Sequence, residues 1–314
     1  MTKIYSAKNV AEALKWGPLI DAIDGLFRRG CTMPVRHHHG FGIPGETDGT
    51  LLLMPAWSEG AYLGVKMVSV VPGNSSRGLP AISGTYILTS AKTGELLAIL
   101  DGAELTARRT AAASALAGRY LAGKDARHLL VVGTGTLSLN LIEAHSEIHP
   151  LDKISIWGRR PEQAAAVAKE AQARGHPTTT VTDLQATAAT ADIISCCTLS
   201  EKPLVLGSWL RPGTHVDLVG AFKPTMRETD DAAVLGASVF ADTRDGVLSE
   251  GGDIVQPIKA GVITADHIRA DLYELSRRTH PGRTSDDEIT MFKSVGAALE
   301  DLAAAIVVHE TLGG

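Results

Sequence analysis

The chain has 314 residues, 44% hydrophobic and 21% charged, with a formal net charge of −5; that excludes a disordered chain and makes two domains the working expectation. A pI near 6.1 argues against the concentrated basic face of a nucleic-acid binder. Three cysteines, Cys31 and the adjacent pair Cys196-Cys197, form a poor disulfide framework, and no stretch reads as a signal peptide or membrane span, so a soluble cytoplasmic protein without a membrane partner is expected.

In chain order, the first third reads as antiparallel and mixed. His37-His38-His39 would alternate faces in a strand, and no Cys/His/Asp cluster at ligand spacing accompanies them; a loop is expected here, and no metal is assigned. Lys66 interrupts an otherwise apolar strand, "YLGVKMVSVV", where an unpaired charge would be costly. "GTYILTSAKTGELLAILDG" holds two strand-like runs around Lys92-Thr93-Gly94, a hairpin with a short glycine-containing loop. A helix is predicted from Glu104 to about Leu121, with Thr106, Thr110, Ala113 and Ala117 as a stripe of small residues.

From Lys124 to about residue 245 the texture alternates between short apolar runs and helical stretches, the pattern of a parallel sheet with helices on both faces. "LLVVGTGTLS" places Gly133-Thr134-Gly135-Thr136 between a strand and a helix, with Ser138 where a third glycine would ease packing. Such a loop turns tightly, admits a pyrophosphate to the backbone and offers it a helix N-terminus. Gly133, Thr134, Gly135 and Thr136 are therefore candidate cofactor contacts, and Thr198, after the strand "ADIISCC", is placed near the same ligand. The residue facing the adenosine ribose should end the second strand, at "ISIWGRR". A carboxylate there would repel a 2′-phosphate, whereas Arg159 and Arg160 can bind it with paired, charge-assisted hydrogen bonds. NADPH is thus preferred over NADH. The plainer reading, two solvent-facing charges at a helix start, is weakened because cations are unfavourable at that end of the helix dipole. In "RTSDDEIT", Ser285 and Glu288 have capping-box spacing, and residues 291–314 read as one Ala-rich helix. The fold class is α/β: a Rossmann dinucleotide-binding domain, 123–290, inserted in an α+β substrate and dimerisation domain, 1–122 plus 291–314.

Several stretches together, "MPVRHHHGF", "LGVKMVSVVPGN", "RGLPAISGTYILTSAKTGELLAILDG", "LTARRTAAASALA", "VVGTGTLS", "RPGTHVDLVGA" and "EGGDIVQPI", resemble the ornithine cyclodeaminase/mu-crystallin family. The resemblance covers most of residues 30 to 260. It implies a homodimer and a small substrate whose α-carboxylate lies next to an imine or amine. Carried over, the carboxylate-binding cations fall on Arg36, Lys66 and Arg109. The chemistry agrees, because an imino acid needs its carboxylate clamped so that the adjacent carbon faces the nicotinamide. Arg grips a carboxylate bidentately, and Lys offers a point charge and a candidate proton donor. Singly, each has a plainer reading: Arg36 a surface charge, Lys66 a snorkelling strand-end residue, Arg109 a partner to Asp101 or Glu104. Family members often carry Thr or Ser after the Leu-Pro dipeptide to reach the substrate; here that residue is Ala81, and Ser83 on the same strand face is the substitute. For Asp253, in "EGGDI", no chemical role is assigned.

The family holds more than one chemistry. Cyclodeaminases carry an aspartate in a segment like G-x-D-x-P-G-K that activates the ornithine side-chain amine. Here "VGAFKPTMRETDD" places Phe222 at that position, and phenylalanine accepts no proton. The segment resembles the ketimine-reductase branch, which implies NADPH-dependent reduction of pyrroline-2-carboxylate to L-proline, and of piperideine-2-carboxylate to L-pipecolate, in proline metabolism and hydroxyproline degradation. Alternatives are a cyclodeaminase releasing ammonia from ornithine, a mu-crystallin-like protein that holds NADPH and a small ligand, and a reductive aminase of the alanine dehydrogenase type.

Overall fold

The computed structural model describes residues 2–313, the side chain of Ser75 excepted. The chain divides into two compact units, Met1–Arg109 with Ala298–Gly314, and Thr110–Ala297. The boundaries fall within the helix Gly102–Leu121 and just before the helix Ala298–Gly313.

The first unit carries six strands: β1 (Lys3–Tyr5), β2 (His37–Phe41), β3 (Gly49–Trp57), β4 (Tyr62–Val70), β5 (Ile82–Ser90) and β6 (Leu96–Asp101). Their order is β1-β6-β5-β4-β3-β2, antiparallel except for β1 beside β6. The predicted hairpin is β5–β6, turning through Lys92-Thr93-Gly94 with Gly94 at φ +75, the left-handed conformation glycine adopts freely. One face of β4 and β5 is buried at Gly64, Lys66, Tyr86 and Leu88. The helices Trp16–Arg29 and Ala298–Gly313 pack against each other, and the latter also packs on the sheet. The three histidines form the exposed edge strand β2, paired with β3, instead of the expected loop. Alternating backbone hydrogen bonds to Leu51–Leu53 decide this, and they do not depend on the side chains.

The second unit has eight strands: β7 (His128–Val132), β8 (Lys153–Trp157), β9 (Thr178–Thr180), β10 (Ile193–Cys196), β11 (His215–Leu218), β12 (Ser238–Ala241), β13 (Ile268–Asp271) and β14 (Thr290–Lys293). All pair in parallel, in the order β13-β12-β14-β11-β10-β7-β8-β9. Successive residues of β7 feed opposite layers: Leu130 and Val132 join one apolar cluster, Leu129 and Val131 the other. The chain runs outward from β7 through β8 and β9, then returns to β10 on the other side of β7. That reversal is the topological switch point, where open parallel sheets bind ligands beyond the strand ends.

Residues 291–314 are not one helix: Thr290–Lys293 is a strand between β11 and β12, and the helix starts at Ala298. Met291 and Phe292 are fully buried, and burial on both sides of a sheet outweighs the helical look of the Ala-rich sequence that follows. Ser285 and Glu288 do not cap a helix. Glu288 instead accepts from Thr284 N at 2.6 Å and Thr284 Oγ1 at 3.0 Å, closing a turn that leads into β14.

At the end of β6, Asp101 Oδ1 accepts from Glu104 N at 2.8 Å and starts the helix Gly102–Leu121. Gly102 is needed at this joint, because a Cβ there would lie 2.5 Å from the Gly84 carbonyl carbon and 2.7 Å from Thr85 N. Backbone cannot step aside as a side chain can. Gly102→Ala is expected to destabilise the protein by about 1–3 kcal/mol, measured as a lower midpoint in denaturant unfolding, whereas Gly123→Ala, whose Cβ meets nothing within 4 Å, serves as the neutral control.

Candidate active site

The candidate cofactor residues of the second unit are built on strand ends. In the second unit β7 ends at Val132, and Gly133 follows at φ +132, with a would-be Cβ only 2.8 Å from Cys197 Sγ. Only glycine fits there. Gly135 is the opposite case: nothing lies within 4 Å of its would-be Cβ, which leaves the backbone open to a phosphate. Ser138 takes the third glycine's place without loss. It is buried and donates to Gly133 O at 3.0 Å, tying the loop to the helix Leu137–Ile148. A cleft of about 230 Å³ opens here, lined by Gly133, Thr134, Gly135, Arg159, Arg160 and Thr198 among others. The structure therefore brings together six of the seven residues singled out for the cofactor. Thr136 is outside the lining: it stands exposed at the helix start, its carbonyl accepting from Asn140 Nδ2 at 3.1 Å. Trp157, Gln163 and Leu204 also line the cleft and were missed, having no motif to mark them. Thr134 Oγ1 donates to Gln163 at 3.2 Å. The open Gly135, the helix N-terminus and the two exposed guanidiniums fit a dinucleotide phosphate.

In the first unit Lys66 and Arg109 are both buried, and they end on the same carboxylate. Asp301 Oδ1 accepts from Lys66 Nζ at 3.0 Å and from Arg109 Nε at 2.9 Å, and Asp301 Oδ2 lies 2.8 Å from Lys66. Glu300 Oε2 accepts from Arg109 Nη1 at 2.7 Å. Arg109 therefore does not pair with Asp101 or Glu104; Glu104 pairs with Arg108 at 2.7 Å. Burial lowers the Lys66 pKa, Asp301 opposes that, and Arg109 and Arg36 push it further down, to about 8. Burial works against Arg109 too, but Asp301 and Glu300 outweigh it and the net shift is upward. Arg36, half-buried, is thus close enough for its field to reach Lys66, and the three predicted cations belong to one electrostatic group. Ser83 does not join it. Lys66 pairs across the sheet with Tyr86, and Ser83, three residues before Tyr86, takes the opposite face and pairs with Ser69. Asp301 and Glu300 were not anticipated, because two acids in the first turn of an apolar helix read as ordinary dipole-matching residues.

A family model of the ornithine cyclodeaminase/mu-crystallin family matches residues 2–314. The chain belongs to this family. It is 40% identical over 295 residues to a Delta(1)-pyrroline-2-carboxylate reductase of Paracoccus denitrificans, covering 94% of this chain and 93% of that one. The Delta(1)-pyrroline-2-carboxylate reductase of Thermococcus litoralis, solved with NADH and L-proline, superposes with a TM-score of 0.92 at 32% identity, covering 99% and 97% of the two chains. An archaeal alanine dehydrogenase dimer with bound NAD superposes at 0.90 with 29% identity, covering 99% and 95%.

Where the family's cyclodeaminase pattern puts an aspartate, Phe222 packs against the apolar cluster of the second unit. Just beyond it Glu228 is fully buried and accepts from Thr198 N at 2.5 Å, Thr198 Oγ1 at 2.8 Å, Gly220 N at 2.9 Å and Ala221 N at 3.2 Å. One carboxylate thus ties the ends of β10 and β11 together beside the cofactor cleft. Asp253, which carries no motif-level role in the sequence, accepts from Glu228 N at 2.7 Å and Thr229 N at 2.9 Å, with Lys293 Nζ at 3.3 Å. Burial pushes Glu228 up to about 7, with Asp253 adding to the rise and Lys293 opposing it. The folded protein therefore holds a proton that the unfolded chain has released, so this group's contribution to stability falls as pH rises from its ordinary range through about 7. Glu228→Gln, which cannot titrate, is expected to flatten that slope in unfolding experiments across pH 5 to 8. It should also weaken dinucleotide binding about tenfold by turning an amide NH₂ toward N–H donors, read by fluorescence titration.

Proposed function

We propose that this protein reduces the cyclic ketimine pyrroline-2-carboxylate to L-proline, and piperideine-2-carboxylate to L-pipecolate, with NADPH as the preferred cofactor and NADH as a weaker one. The observation that carries this reading is that one chain holds both a dinucleotide cleft, in the second unit, and a buried Lys66–Arg109 cluster suited to a carboxylate, in the first. The Paracoccus denitrificans relative and the Thermococcus litoralis structure, both named for this reduction, support it. Phe222 argues against the cyclodeaminase reading, since a ring packed in an apolar cluster takes no proton from an amine.

Gly133, Thr134 and Gly135 would hold the pyrophosphate, Thr198 would stand near the same ligand, and Arg159 and Arg160 would hold the adenosine phosphate. When bound, the reduced nicotinamide supplies a hydride to the imine carbon. Lys66 and Arg109 would grip the carboxylate, with Arg36 adding positive field. Lys66 must keep its proton either to hold that anion or to pass a proton to the ring nitrogen. We also propose a homodimer. Leu63 and Met67 stand exposed on the face of β4 away from Lys66, and an apolar sheet face of this kind favours self-association.

The test follows cofactor absorbance with pyrroline-2-carboxylate, with pyruvate plus ammonia, and with ornithine while ammonia release is measured. Turnover with the cyclic imine is expected; ammonia release from ornithine without imine reduction would overturn the assignment. Turnover should fall as pH rises through about 8, where Lys66 gives up its proton, and Lys66→Gln should lose both that limb and most of kcat. The double change Arg159→Ala, Arg160→Ala should raise the KM for NADPH by about 10–100-fold, from the loss of charge-assisted bonds, while leaving the KM for NADH within about threefold. A NADPH KM that does not move would return the two arginines to solvent-facing charges.

A further inference from the structure

The cluster around Lys66 is not simply a basic pocket. Lys66 and Arg109 carry two positive charges, and Asp301 and Glu300 return two negative ones at 2.7 to 3.0 Å. All four side chains are buried. Arg36, half-buried, adds its field to that of Arg109 at Lys66. A substrate carboxylate entering this group meets two cations already paired with two carboxylates, not three bare cations.

This balance matters for the ring nitrogen. A cyclic ketimine carboxylate exists as an anion, with a neutral C=N, or as a zwitterion, with C=N⁺–H. Three uncompensated cations would favour the anion and repel the zwitterion. A nearly neutral group tolerates the zwitterion, and two fixed carboxylates within the group favour a cationic nitrogen.

We infer that Asp301, seconded by Glu300, is a positioning residue that selects the protonated, iminium form of the substrate. The inference rests on the ketimine-reductase reading above. Asp301 acts in two ways. It fixes Lys66 and Arg109 through one shared oxygen, so that their remaining donors hold one geometry. Arg109 has five N–H groups, and the two carboxylates bond those on Nε and Nη1. The Nη2 edge of the guanidinium remains to meet the substrate carboxylate. Asp301 also supplies the negative charge that offsets the iminium. Hydride addition to the carbon of C=N⁺–H forms the C–H bond and sends the π pair to nitrogen, which becomes a neutral amine. No proton need be delivered in that step, and the amine is protonated afterwards from Lys66 or water.

The test compares two ligands on Asp301→Asn, which keeps the side-chain shape and removes the charge. L-proline carries a cationic ring nitrogen; pyrrole-2-carboxylate is flat, anionic and uncharged at nitrogen. Asp301→Asn is expected to bind L-proline at least tenfold more weakly while binding pyrrole-2-carboxylate as well as or better than the parent. The kcat for the imine should drop while its KM stays level or falls, and the alkaline limb should move below pH 8, because Lys66 loses the carboxylate that holds its proton. Equal loss of both ligands, or no change in either, would overturn the inference. If Asp301→Asn does not fold, Glu300→Gln removes one negative charge without touching Lys66 and should show the same selective loss of L-proline; equal effects on the two ligands would again overturn it. Failure of the parent protein to bind either ligand or reduce the imine would instead count against the functional assignment.

Discussion

Two cations lie inside the first unit, on a strand and on a helix, and both close on one carboxylate that the chain delivers about two hundred residues later. Lys66 and Asp301 are 235 positions apart, Arg109 and Asp301 192. A buried charge left without its partner costs about 3–5 kcal/mol, so this unit is complete only when the helix Ala298–Gly313 packs on the sheet. Here lies a physical reason for a discontinuous domain. Residues 110–297 can form a sheet of their own between the two segments, but the segments need each other to neutralise what they bury. The position of Asp301 in the first turn of its helix adds a second contribution, since the helix N-terminus favours an anion.

The second unit uses a carboxylate differently. Glu228 is placed among donors, mostly backbone N–H groups at the ends of β10 and β11, and Asp253 holds the backbone of Glu228 in turn. Strand ends at a switch point are where a parallel sheet leaves peptide groups unsatisfied, and a buried acid satisfies several at once. The loops that line the cleft are thereby held from beneath, and the upper surface stays clear for phosphates. Phe222 belongs to the same arrangement. With an apolar ring in the cluster, the segment after β11 carries packing, and Glu228 carries the polar work one turn further on.

Much of this was legible in the sequence, and the parts that were not share a cause. The glycine loop could be read because Gly133 and Gly135 answer local requirements, a positive φ and an open approach. Arg159 and Arg160 could be read because they follow a strand whose length is plain. Lys66 stood out because a charge inside an apolar run asks for a partner, but the sequence could not say which. Asp301 and Glu300 sit in a helix whose remaining residues look like ordinary core, so nothing local marks them. β14 failed for the same reason: "TMFK" becomes a strand because β11 and β12 leave a gap of that width, a tertiary fact. Ser83 was misjudged by one step of the pleat, which moves a side chain to the other face of the sheet.

Lys66 and Arg109 differ in how burial and their neighbours set their charge. Both touch Asp301, yet their acidities move in opposite directions. Arg109 has two carboxylates against it, whereas Lys66 has one, with two guanidiniums in its field. Of the two, only Lys66 therefore has a charge that responds to what enters the site at ordinary pH. In the proposed role, an arriving carboxylate would add a negative charge beside it and raise its affinity for a proton. Binding and protonation are then reciprocal: above about pH 8, each carboxylate bound should draw in a fraction of a proton, and affinity should decline with the free lysine's ionisation. A guanidinium at the same place would hold the anion equally well but could not couple the two events, because it keeps its proton at every accessible pH. On the proposed assignment, lysine on the strand and arginine on the helix would divide the labour, one cation fixing the geometry and the other registering the charge of the ligand.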